Sequence, residues 1–93
     1  MTATCLRQDD ALVFTGPLDR AAAAALWPQL HAAIAGVRRF DLTAVPRVDS
    51  AGLALLAELA AMAGGGIVLQ GRPEGLDELR AAYRLQDDLS FAS

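Results

Sequence analysis

Read for the spacing of its apolar side chains, the chain alternates short strand-like runs with longer helical ones. Ala3 to Gln8 and Ala11 to Thr15 read as two strands joined through Gln8-Asp9-Asp10, whose residues suit a tight turn, so a hairpin is predicted. Gly16-Pro17 ends the second strand. Asp19 is placed to cap a helix starting at Arg20, because its carboxylate can accept from first-turn N–H groups that lack intrahelical partners. Five alanines follow, and Leu26, Leu30 and Ile34, with Trp27 beside them, recur at helical spacing. Pro28 removes one backbone donor from that stretch, which predicts a kink or a restart near Trp27, and Gly36 stops the helix.

Val37 to Leu42 is the next predicted strand, with Phe40 and Leu42 on one face and Pro46 preventing its continuation. Ser50 to Gly64 is the second helix, stopped by Gly64-Gly65-Gly66. Ile67 to Gln70 reads as a buried parallel strand, and Pro73 to Leu85 as a third helix carrying Leu76, Leu79 and Ala82. No element is assigned to the tail, Gln86 to Ser93. This order predicts an α/β fold: one domain over residues 1–93, with about four strands in a mixed, partly parallel sheet and helices mainly on one face.

A chain of 93 residues has room for one core only. Its net charge is -3, and all eight basic residues are scattered arginines, so the basic stripe that a nucleic-acid binder needs is missing. Cys5 stands alone, which excludes an intrachain disulfide and fits a reducing compartment. The richest apolar run, Ala51 to Gly66, falls short of a bilayer span and carries Glu58, and the N-terminus has acids where a signal peptide would be apolar. The chain is therefore expected to be cytoplasmic and not inserted in a membrane. At 54% hydrophobic residues it is rich in apolar side chains for its size, which suggests that some of them face a partner.

The most informative stretch is Val45 to Leu56, VPRVDSAGLALL. Asp49 or Ser50 can cap the helix that opens there. A solvent-facing Ser50 hydroxyl at the positive end of a helix dipole is also suited to a contact or to phosphorylation. Gly52 either exposes backbone to another chain or packs tightly within its own fold. Leu53, Leu56, Ala57, Ala60 and Ala63 form one stripe of the helix, and Leu55, Leu59 and Met62 a second. Either part of the second stripe, or the residues at the N-terminal end of the helix, meets another protein, or the third helix covers that stripe.

Enzymatic signatures are poor. His31 is the sole histidine and has no identifiable nucleophile beside it, Asp9-Asp10 and Asp87-Asp88 suit turns and chain ends, and without any Lys there is no Walker-type phosphate loop. No metal or cofactor is expected.

Asp49-Ser50-Ala51-Gly52-Leu53, at the start of the second helix after a central strand, resembles the motif of the STAS domain, a SpoIIAA-like fold found in anti-sigma-factor antagonists and transporters. The similarity is greatest to the MlaB-type subunits of bacterial phospholipid ABC transporters. It is carried by Gly16-Pro17-Leu18-Asp19, Leu26-Trp27, Phe40-Asp41-Leu42, Arg47 to Leu56, Leu69-Gln70-Gly71 and Tyr83-Arg84-Leu85. The resemblance implies a non-enzymatic subunit that binds the transporter's ATPase and, through it, the permease. It would sit at the cytoplasmic side of the inner membrane and help maintain outer-membrane lipid asymmetry. It also implies partner contacts at Ser50, Asp49, Ala51, Gly52, Leu53 and Trp27, with Ser50 as the contact or phosphorylatable hydroxyl. The alternative it implies is an anti-sigma-factor antagonist regulated by phosphorylation of Ser50; Ala51, where those relatives usually carry Ser, departs from that pattern.

Overall fold

Leu12 and Phe14 alternate along one strand, Phe40 and Leu42 along its neighbour, and all four are fully buried on the face that the helices cover. The structure, a computed structural model, describes residues 3–85 and Leu89. The rest of the tail, with Asp87-Asp88, lies outside the described residues. β1 (Thr4–Gln8) and β2 (Ala11–Thr15) form the predicted hairpin. β3 (Arg39–Ala44) runs parallel to β2, and β4 (Val68–Gln70) parallel to β3, so the mixed sheet has the order β1-β2-β3-β4. Among the described residues there are three helices: α1 (Arg20–Ala33), α2 (Ser50–Met62) and α3 (Leu76–Ala82). The Phe14 and Phe40 rings meet edge to face, 5.8 Å between centroids, at the centre of the core.

Sequence expectations are corrected at four elements. Of the kink or restart predicted near Trp27, the restart does not occur and α1 runs on through Pro28; both Pro28 and Ala24, whose carbonyl loses its donor, are exposed, so water can satisfy that oxygen. β3 begins two residues later than Val37, because the Val37 N–H turns back to the Ile34 carbonyl while the Arg38 and Arg39 N–H groups both donate to the Asp10 carbonyl. β4 is a parallel strand at the sheet edge, with Ile67 buried before it and Val68 56% exposed on it. α3 starts at Leu76 rather than Pro73, since Glu74 is held in a bridge to Arg47, and Ala82 is exposed.

The segments that lead into the helices are tied to one another. Leu18 and Val48 form a parallel bridge, in which the Leu18 N–H donates to the Arg47 carbonyl at 3.0 Å and the Asp49 N–H to the Leu18 carbonyl at 3.1 Å. The Val48 N–H in turn donates to Glu74, and the Glu74 N–H to Pro46. α1 and α2 therefore start side by side and run in the same direction, with α1 packed along α2. At the far end, the Arg7 guanidinium donates to the Ala33 and Ala35 carbonyls, satisfying oxygens that the end of α1 leaves open.

Gly52 locks this arrangement. A methyl group there would overlap the Leu18 carbonyl oxygen and lie 2.8 Å from its carbon and 2.9 Å from the Leu18 Cβ. The obstruction is backbone, which cannot swing aside. Gly52→Ala is therefore expected to reduce unfolding free energy by about 2 kcal/mol or more, read as a lower urea midpoint. Ala51→Gly, at a half-buried neighbour, should cost about 1 kcal/mol or less. A Gly52→Ala protein as stable as the parent would show that this contact does not set the packing.

Candidate functional site

Asp49 is in extended conformation and its Oδ1 accepts the Gly52 N–H at 2.9 Å, as Asp19 Oδ1 accepts the Ala22 N–H at α1. Of the two capping candidates at α2, Asp49 therefore carries the cap. Ser50 becomes the first helical residue; it is exposed, and its hydroxyl makes no hydrogen bond with any described residue. It stands at the rim of an apolar groove of about 220 Å³, lined by Leu53, Ala54, Ala57, Tyr83 and Leu85. Ala54 also borders a shallower cleft of about 380 Å³ between α1 and α2, enclosed by Ala23, Trp27, Leu55 and Glu58. The two depressions thus form one continuous surface.

Trp27 belongs to this surface rather than to the core. It is 36% exposed, and its ring lies against His31 at 5.6 Å between centroids. Asp49 is exposed and Ala51 half-buried beside Ser50. Gly52 and Leu53 are buried: Gly52 packs against Leu18, and the Leu53 side chain floors the groove. Of the second stripe of α2, Leu55 and Leu59 are buried and only Met62 is exposed. The covering helix is α1 more than α3. The open face of α2 instead follows Ser50, Ala54 and Glu58, a spacing of four that was legible but inconspicuous because these side chains are small or polar. Tyr83 and Leu85 join the groove from a distant part of the chain, and only the resemblance had singled them out. A wider hollow of about 440 Å³ between β4 and α3 contains none of the predicted site residues.

The family model described as "Mlab, STAS domain" matches residues 1–90. The chain is 34% identical over 87 residues to the "Intermembrane phospholipid transport system binding protein MlaB" of Escherichia coli (strain K12), covering 90% of each chain. The protein of the same name from Shigella flexneri matches equally. Among solved structures, "Crystal Structure Analysis of Mglu" shares the fold at a TM-score of 0.51 and 24% identity, over 77% of this chain and 20% of the other.

Among the described residues, no group of three His, Cys, Asp or Glu side chains could hold a metal ion, and no helix is long and apolar enough to cross a membrane. The Asp41 carboxyl is held below its ordinary range by the Thr43 hydroxyl at 2.6 Å and the Thr43 amide at 3.0 Å, an arrangement that closes the end of β3. Burial pushes the Cys5 thiol up to about 12, so it stays protonated at neutral pH and is a poor nucleophile. Iodoacetamide at pH 8 should therefore alkylate Cys5 at least about tenfold more slowly in the folded protein than in guanidinium. Equal rates would contradict the burial of this thiol.

Proposed function

The chain belongs to the MlaB-type STAS family, and from that membership we propose that it is a non-enzymatic, cytoplasmic binding subunit of an intermembrane phospholipid transport system. In this reading it docks on the transporter's ATPase and supports assembly and activity of the complex, which holds it at the inner membrane. The 34% identity, over 90% of each chain, to proteins named for that system carries the proposal. The surface of the molecule is suited to it. An apolar groove beside an unbonded hydroxyl accepts a complementary apolar segment, and Trp27 and Tyr83 supply aromatic area of the kind that dominates protein contacts.

Ser50, Trp27 and the neighbouring Asp49 and Ala51 form the accessible part of the docking corner, while Gly52 and Leu53 shape it from beneath. Charge at position 50 is tolerated by the fold, because a carboxylate in the first helical turn complements the helix dipole. It would not be tolerated in a desolvated contact. Ser50→Asp is thus expected to unfold within about 0.5 kcal/mol of the parent yet to lose the ATPase in co-purification from cells that express both subunits. Undiminished recovery of the ATPase would overturn the docking corner. Recovery of a sigma-factor regulator in its place would favour the phosphorylation-controlled antagonist.

A further inference from the structure

Resting on that docking reading, the cleft beside the groove carries a more specific inference about what enters it. Trp27 lines it from α1 and Glu58 from α2, each about two turns beyond the start of its helix. The two residues thus belong to neighbouring helices that start side by side, and both border the same cleft. The rest of its lining, Ala23 and Ala54 one turn nearer the helix starts and Leu55 beside them, is without a polar side chain. Glu58 is the sole charged residue of α2, and it makes no ion pair or hydrogen bond with any described residue.

This combination selects a particular guest. A carboxylate in an apolar setting attracts a cation, an indole face stabilises one, and a small-residue floor accommodates an aliphatic stem. A guanidinium meets all three demands better than an ammonium, because it is planar, weakly hydrated, stacks on aromatic rings and can bind a carboxylate through two N–H groups. An acidic or wholly apolar guest would leave Glu58 repelled or desolvated without a partner. We infer that the cleft between Trp27 and Glu58 receives an arginine side chain of the ATPase subunit, its stem over Ala54 and its guanidinium between the indole and the carboxylate. The groove beside Ser50 then seats the apolar residues that flank this arginine.

The test is a titration of the purified chain against the cognate ATPase subunit by calorimetry at low and moderate salt. Glu58→Gln is expected to weaken binding at least about tenfold and to flatten its salt dependence, and Glu58→Arg to weaken it further. Trp27→Leu should also weaken binding, while Trp27→Phe keeps most of the affinity, since the ring rather than the indole N–H does the stacking. Both positions are exposed, and thermal melts of each variant check that folding is retained. A compensating Arg→Glu change in the ATPase that restores binding to Glu58→Arg would identify the guest residue. Wild-type affinity for Glu58→Arg, with binding lost in Ser50→Asp, overturns the arginine inference alone. Undiminished binding by both variants overturns the docking reading beneath it. A chain that dimerises by itself through Glu58 would assign the cleft to a second copy and likewise overturn the inference.

Discussion

The carbonyl of Leu18 and the α-carbon of Gly52 approach so closely that no side chain fits between them, and the relative placement of α1 and α2 follows from that contact. Leu18 lies in the segment that leads into α1, and Gly52 in the first turn of α2. The Leu18 oxygen also accepts the Asp49 N–H, so one carbonyl fixes both the approach of the second helix and the residue that caps it. A similar close approach recurs one segment further on. A methyl group on Gly75, whose φ is +89°, would come within 2.6 Å of the Val48 oxygen. Backbone thus meets backbone at successive helix starts, and the corner around Ser50 is held by main chain rather than by adaptable side chains.

Features governed by neighbours in sequence were readable without the structure. The starts of α1 at Arg20 and α2 at Ser50 follow from Asp19 and Asp49, because a capping hydrogen bond spans three residues. The buried face of β3 follows from the spacing of two between Phe40 and Leu42, both of which are fully buried. What was misread depends on distant partners. Pro73 and Glu74 are good residues for a helix start, but the Glu74 main chain is engaged by Pro46 and Val48, some 26 residues away along the chain, so α3 begins later. Val37 has the side chain of a strand residue, yet its N–H closes a turn onto Ile34 while the Asp10 carbonyl gathers the next two amides. At the site, Ser50 and Trp27 were legible, whereas Tyr83 and Leu85 meet them only through the fold.

The apolar excess of the composition is distributed differently from what α2 alone suggested. That helix is nearly apolar all round, but Leu55 and Leu59, which could have been offered outward, are buried with α1 packed along α2. Among the described residues the exposed large apolar side chains sit at the flanks instead, Trp27 on α1, Met62 at the end of α2 and Tyr83 after α3, with Leu6 and Val68 on the strands. Trp27 and Tyr83 border the two depressions that meet at Ala54. A small alanine between two aromatic side chains leaves a recess that a larger residue would fill, so the lack of bulk at position 54 is itself part of the surface.

Asp49 and Ser50 are adjacent and both able to cap a helix, yet the fold uses only one of them. Asp49 accepts the Gly52 N–H and leaves the Ser50 hydroxyl unengaged. Stability therefore constrains position 49 and scarcely constrains position 50, where a small exposed residue is sufficient for the helix. An exposed side chain at the helix start can thus change with little disturbance to the domain. It stands on a turn whose backbone is tied to two other segments, so a partner docking there as proposed would order little that the fold has not already ordered. Association would then lose less conformational freedom, and a modest apolar area would suffice to hold a complex together.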